Sequence, residues 1–361
     1  MKGKRTYLTP GPSELYFTVQ DHMRTALREK VPSISHRSAT FQSIFRDTRE
    51  ALAELLNIPD SFHIFFTSSA TEIWERIIQN LVEEESYHLV NGAFSERFFK
   101  MALELGRSPE QIVAPYGEVV DLGKILLSET YELISITHNE TSTGAMHTME
   151  DLAVLREAFP EQLIAVDAVS SLPCPAFNFD HFDCMYFSVQ KAFGLPAGLG
   201  VWIVNDRCMA KAESMLMRKK SVGSYHSLPS LWAKALKDQT PETPNVLGIY
   251  LLNKVARDMI DRGLDQIRRD TAYKAAVLYQ AAEKHPLLTP FVKKKANRSD
   301  TTIVLEVDGD VDELQGYLAE NGLIVGTGYG QYKDNHIRVA NFPAHSREEF
   351  EQLADLLGAY Q

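Results

Sequence analysis

Two residues carry the strongest chemical signal in the chain. Lys191 lies in SVQKAFGLPAGLG (188–200), and every position after it in that segment is apolar, glycine or proline. An ammonium there loses hydration and its pKa falls toward neutrality. The resulting amine is suited to forming an imine with an aldehyde. Asp167 lies in LIAVDAVSS (163–171), a run of buried-strand character that ends in a carboxylate and small polar residues. Ligands in open α/β sheets collect beyond the carboxyl ends of strands, so an acid at that edge faces a site. Taken singly, a strand-end Asp also serves as a helix cap or turn former. Together, on consecutive predicted strands, the two supply what pyridoxal 5′-phosphate requires: an amine for its aldehyde and a carboxylate that keeps its ring nitrogen protonated.

A phosphate needs free N–H groups, which helix N-termini present. FFTSSATEIW (65–74) runs from a strand through small hydroxyl-bearing residues into a helix, placing Ala70 and Thr71 where amides and hydroxyls converge; the same pattern is ordinary N-capping. The elements that must position these residues are short β-branched and aromatic runs: HIFFT (63–67), YHLV (87–90), QIVA (111–114), ELISIT (132–137), LIAVDA (163–168), DCMYFS (183–188) and GVWIV (200–204). Helix-length segments with apolar spacings of three and four separate most of them, so an α/β fold with a mostly parallel buried sheet is expected. Beyond residue 204 the rhythm changes to a long helical stretch (246–283) and a C-terminal block with strands TTIVLEV (301–307) and HIRVA (336–340), a smaller α+β unit. The lysines at 293–295 read as a solvated surface turn.

Composition narrows the partners. The chain has 361 residues, 44% of them hydrophobic, enough for a large core, and a net charge of -11. That balance argues against nucleic acid or an anionic membrane surface and favours small molecules. Three cysteines without CxxC spacing suggest reduced thiols. No segment is long and uncharged enough to span a bilayer, and the N-terminus lacks an apolar leader core, so a cytoplasmic location is expected. The eleven histidines show no HxH or HExxH spacing, so no metal is expected. GTGYGQY (326–332) lacks the strand and helix context of a nucleotide loop and reads as a substrate-side loop.

The ordered segments TPGPSEL (9–15), SHRSATF (35–41), FFTSSATEIWE (65–75), NGAFSERF (91–98), HNETSTG (138–144), VDAVSS (166–171), SVQKAFGLPAGLG (188–200), ETPN (242–245) and IRVANFP (337–343) resemble the class V aminotransferases over nearly the whole chain, and within them the phosphoserine-specific members. The resemblance implies a type I pyridoxal-phosphate fold with a seven-stranded sheet. It further implies a cofactor domain of residues 15–250, a small domain of residues 1–14 and 251–361, and a homodimer with the active site at the subunit interface. Carried over by position, Lys191 is the Schiff-base lysine and proton carrier, and Asp167 pairs with the ring nitrogen. Phe94 stacks on the ring and Thr141 bonds the ring-hydroxyl side. Gln190, Ala70, Thr71 and, from the partner, Thr243 hold the cofactor phosphate. Arg338 clamps the substrate α-carboxylate, and His36 with Arg37 takes a substrate phosphate. The implied reaction passes an amino group between O-phosphoserine and 2-oxoglutarate; the alternative is an alanine–glyoxylate or serine–pyruvate aminotransferase. The chain departs from the best-known phosphoserine branch in having SSAT (68–71) and Glu242 where that branch has Gly-Gly-Gly-Arg and Asn.

Overall fold

The computed structural model describes residues 5–125 and 130–360. Strand β1 (Thr6–Leu8) and helices α1 (Val19–Arg28) and α2 (Ala39–Leu56) precede the main sheet. Strand β2 (Phe62–Thr67) turns into α3 (Ala70–Leu81), followed by β3 (Glu85–Val90), α4 (Ala93–Glu104), β4 (Ser108–Val113) and β5 (Leu133–Thr137). A small hairpin, β6 (Asn139–Glu140) and β7 (Ala145–Met146), leads to α5 (Met149–Ala158), β8 (Leu163–Asp167), β9 (Cys184–Ser188) and β10 (Gly200–Asn205). Helices α6 (Asp206–Met217), α7 (Leu228–Ala235), α8 (Val246–Arg262) and α9 (Leu264–Lys284) come next. The chain closes with β11 (Leu288–Pro290), β12 (Thr302–Val307), α10 (Val311–Glu320), β13 (Leu323–Thr327), β14 (His336–Ala340) and α11 (Arg347–Ala359).

The main sheet has seven strands in the order β2-β10-β9-β8-β5-β3-β4. All neighbours run parallel except β10, which is antiparallel to both β2 and β9. The sequence expectation of a mostly parallel seven-stranded sheet therefore holds. Every residue of β5, β8 and β9 is buried, as strands covered on both faces must be. Helix α3 shows how the cover forms. Ser69 caps it by accepting the Glu72 amide at 3.1 Å, and Ile73, Trp74, Ile77, Ile78 and Leu81 repeat at helical spacing to bury one stripe.

The second sheet has the order β1-β13-β14-β12-β11 and packs against α9 and α11 around Leu278, Leu305, Ile337 and Leu353. The helical stretch expected over 246–283 is two helices, because Gly263 adopts φ +84°, a left-handed conformation that ends α8. Helix α8 buries Ile249, Leu252, Val255 and Met259 in the larger core against α2. Helix α9 then crosses between cores, with Ile267 in the larger and Ala275, Leu278 and Ala282 in the smaller. The expected division at residues 250/251 falls inside α8. Residues 293–295 are exposed, as a surface turn requires. Among the described residues no helix is long and apolar enough to cross a membrane, and all three cysteines are free and buried.

One buried carboxylate ties the amino ends of the central strands. Asp183 accepts the Ile164 amide (2.8 Å), Asn205 Nδ2 (2.9 Å) and Arg207 (3.0 Å), and it also pairs with Arg156. Asp183→Ala leaves a part-buried guanidinium without its partner, so it should cost about 3–5 kcal/mol. That loss would be read as a lower urea midpoint with the slope unchanged.

Candidate active site

Strand register gathers the chemistry at one edge. Gly200 at the start of β10 pairs with both Thr67 and Ser188, the last residues of β2 and β9. The turn 68–69 and the segment 189–191 therefore leave the sheet side by side. Asp167 ends β8 opposite Tyr186 on one side and Thr137 on the other. The HNET segment follows Thr137, and NGAF follows β3 one strand further on. Five of the sequence-derived segments thus share the carboxyl edge, where ligands of such sheets bind.

Asp167 is 4% exposed. Its carboxylate accepts the Val169 amide (2.9 Å) and the Trp74 indole N–H (3.3 Å), and Tyr186 also bonds to it. Burial pushes its pKa up to about 7 in spite of these donors, and the Glu140 carboxylate adds to the rise. Among the described residues no lysine or arginine forms an ion pair with it.

The opposite shift appears at Lys191. Burial lowers its pKa to about 8, and the Arg338 guanidinium pushes the same way. Its Nζ donates to the Pro10 carbonyl and lies 6.0 Å from the centre of the Phe94 ring. Gly11 adopts φ +136°, a conformation that favours glycine, and a Cβ there would stand 2.4 Å from Nζ and displace the lysine side chain.

Phe94 in turn packs on Tyr329, with ring centroids 5.3 Å apart. Arg338 projects from β14 into the same space. It donates to the carbonyls of Thr327 (2.7 Å) and Thr141 (3.2 Å) and stacks over Tyr329 at 5.3 Å. The substrate-side loop read in GTGYGQY thus meets Phe94 and Arg338 through Tyr329.

The phosphate turn is partly committed to internal bonds. The Ala70 amide donates to Ser188 Oγ (2.8 Å), and Ser68 donates through its amide (2.8 Å) and hydroxyl (2.6 Å) to Glu72. Thr71 is exposed, and Gln190 is part-buried next to Lys191.

His36, Arg37 and Thr243 form a separate group. Thr243 Oγ1 lies 3.4 Å from His36 Nδ1. Arg37 donates to Gln239 Oε1 (3.0 Å), Thr240 O (2.7 Å) and Pro241 O (3.1 Å). Among the described residues no hydrogen bond, ion pair or ring contact joins this group to Lys191.

Sequence reasoning passed over three residues. Glu140 was given no role within HNETSTG; it is fully buried, accepting the amides of Ser95 (3.0 Å) and Ser142 (3.1 Å) and fixing the start of α4, which carries Phe94. Trp74 and Tyr186 both bond Asp167. Trp74 had a findable signal, lying one helical turn beyond the capped start of α3. A cavity of about 800 Å³ between residues 116–123 and 291–297 contains none of the groups above. Position at the sheet edge, rather than cavity size, locates this site.

The donor set fits pyridoxal 5′-phosphate. A buried carboxylate without a cation suits a protonated ring nitrogen, a desolvated amine suits the aldehyde, and the Phe94 face lies beside that amine. Comparison with known proteins agrees. The family model "Aminotransferase class-V" matches residues 8–332. A putative phosphoserine aminotransferase of Mycobacterium avium is 30% identical over 326 residues, covering 88% of this chain and 85% of its own. The crystal structure of a phosphoserine aminotransferase from Cytophaga hutchinsonii superposes with TM-score 0.97 at 46% identity, covering 98% of both chains. An aspartate aminotransferase from Thermus thermophilus, 24% identical, shares the fold with TM-score 0.86 over 98% of both chains. The chain belongs to the class V aminotransferase family, and it is a transaminase with the type I fold and pyridoxal 5′-phosphate as cofactor.

The amine of Lys191 should titrate accordingly. In cofactor-free protein its reaction with a simple aldehyde, followed by mass spectrometry after borohydride trapping, should rise with pH through about 8. Arg338→Gln removes a neighbouring positive charge and should move that midpoint upward; an unmoved midpoint would show that the two groups do not interact.

Proposed function

We propose that the chain transfers the amino group between O-phosphoserine and 2-oxoglutarate, the reaction that supplies phosphoserine from glutamate and 3-phosphohydroxypyruvate in serine biosynthesis. The observation that carries this reading is the His36–Arg37–Thr243 group. It places a cationic guanidinium, an imidazole and a hydroxyl together at the surface of the chain. A second copy that docks this surface over the sheet edge would bring a phosphate-binding set to the substrate, so the enzyme acts as a homodimer whose active sites lie at the interface. Three of the five guanidinium N–H donors of Arg37 hold the loop, and two remain for a phosphate. The phosphoserine aminotransferase identities of the relatives support the same donor.

Bound at the sheet edge, pyridoxal 5′-phosphate supplies an aldehyde for the substrate amine and a ring that takes up the electron pair left at Cα. Lys191 Nζ would carry the proton from the substrate Cα to C4′ of the cofactor, a task suited to an amine with a pKa of about 8. Asp167 keeps a proton on the ring nitrogen. Phe94 covers one ring face, and Thr141 bonds the ring-hydroxyl side. Gln190, Ala70 and Thr71, with Thr243 of the partner subunit, hold the phosphate. Arg338 binds the substrate α-carboxylate, for which its planar fork is matched. The buried free thiols fit a cytoplasmic enzyme. We place the domain division in α9, where the chain passes from one core to the other.

The test is a single-turnover half-reaction. Purified enzyme is mixed separately with phosphoserine, glutamate, alanine and serine while its visible absorbance is followed. Rapid conversion with phosphoserine and glutamate alone is expected. Conversion with alanine or serine and none with phosphoserine would move the chain to the alanine–glyoxylate branch. Lys191→Ala should abolish turnover. Arg37→Gln should raise KM for phosphoserine by at least about tenfold while changing KM for glutamate little, since removing a charge-assisted bond to one substrate is a difference in binding.

A further inference from the structure

His226 has no part in the chemistry above, yet it occupies a place few histidines do. It is 1% exposed and adopts φ +50°, a left-handed backbone that surrounding structure must impose. One ring nitrogen lies 2.6 Å from Glu72 Oε1, and the other is 2.8 Å from Glu242 Oε2, an ion pair rather than a well-directed hydrogen bond. Glu72 belongs to the first turn of α3, and its other oxygen receives both Ser68 donors. Glu242 immediately precedes Thr243 in the loop that Arg37 braces. A cavity of about 150 Å³ lies between the two segments, bordered by Thr67, Ser68, His226 and Thr243.

The arrangement answers an electrostatic problem. A helix N-terminus suits a phosphate, but a carboxylate in its first turn opposes one. Glu72 is such a carboxylate, and Glu242 places a second across the cavity. An imidazolium between them offsets one of the two charges and joins their segments. We propose that His226 is a positioning residue for cofactor phosphate, locking the turn at residues 68–71 to the Thr243 loop and offsetting the carboxylate charge beside the anion. The inference rests on the reading of that turn as a phosphate site.

The surroundings define the titration. Glu72 and Arg76 face His226 and its neighbour Tyr225 from α3, Glu242 faces it from the loop with His36 and Arg37 behind, and the Tyr225 ring stacks on it at 3.9 Å. Burial opposes the charge, but the contacts with Glu242 and Glu72 outweigh it and raise the His226 pKa to about 9. Burial likewise opposes ionisation of Glu72, yet the bonds from His226 and Ser68 bring it down to about 2. The link is therefore complete below the ordinary histidine pKa and is lost as pH rises through about 9.

The experiment compares equilibrium binding of pyridoxal 5′-phosphate and pyridoxal to cofactor-free protein by fluorescence quenching. The wild type should prefer the phosphorylated form, with the preference falling as pH rises through about 9. His226→Asn should reduce the preference by about tenfold, the order expected for a lost charge interaction, and leave pyridoxal affinity nearly unchanged. His226→Lys should restore part of it. Glu242→Gln lies in the loop and reads the same ratio should His226→Asn not fold; by removing one of the two carboxylates that hold the imidazolium, it should move the fall of the preference to lower pH, and an unmoved fall would overturn the proposal. A folded His226→Asn protein with a lower melting temperature and an unchanged preference would overturn the proposal. A wild type that binds both forms equally would overturn the phosphate-site reading itself, and the link with it.

Discussion

A carboxylate removed from water must be held by hydrogen bonds or by a cation, and within the described chain Asp167 has only neutral donors: the Val169 amide, the Trp74 indole and Tyr186. The remaining cost shows in its raised pKa. Much of the main domain serves to maintain this costly placement. The strands flanking β8 are buried on both faces and exclude water from the edge. Helix α3 delivers Trp74 because Ser69 starts it in the right register, and β9 delivers Tyr186 directly opposite Asp167. Lys191 lies three residues past the end of that same strand and feels burial in the opposite sense. Desolvation raises the acid and lowers the base, so two groups that would titrate far apart in water are drawn toward each other.

Much of this was legible in the sequence, because buried parallel strands leave runs of β-branched and aromatic residues that few other structures produce. LIAVD and CMYFS are such runs, and the chemistry sits at their ends. What escaped notice had short or distant causes. Strand β1 is three residues long and pairs with β13, more than 300 positions away, so no local pattern announces it. The β6–β7 hairpin has two residues per strand and is held largely by Glu140 and its neighbours. The helical period of 246–283 continues through Gly263, whose backbone angle alone splits it.

The site divides in the same way. Lys191, Asp167, Phe94 and Arg338 were singled out in the sequence, and the first three lie at or just beyond the turn from one recognisable element to the next, whereas Arg338 lies in the middle of β14. Glu140 was missed because a carboxylate that accepts backbone amides at a helix start looks, in sequence, like any surface acid. His36 and Arg37 show the converse case. Their types suggested an anion site, whereas within the chain Arg37 braces the 239–241 backbone. A residue pair can do both when the loop it braces is part of the site it completes.

Strand β1 has a mechanical consequence. It adds a parallel edge to the smaller sheet beside β13, which in turn pairs with the strand carrying Arg338. The chain leaving β1 reaches Pro10, whose carbonyl accepts the Lys191 amine. Lys191 belongs to one module and its hydrogen-bond acceptor to the other. The two modules are joined at the amine itself, so the placement of Lys191 depends on the seating of the smaller sheet as well as on its own strand.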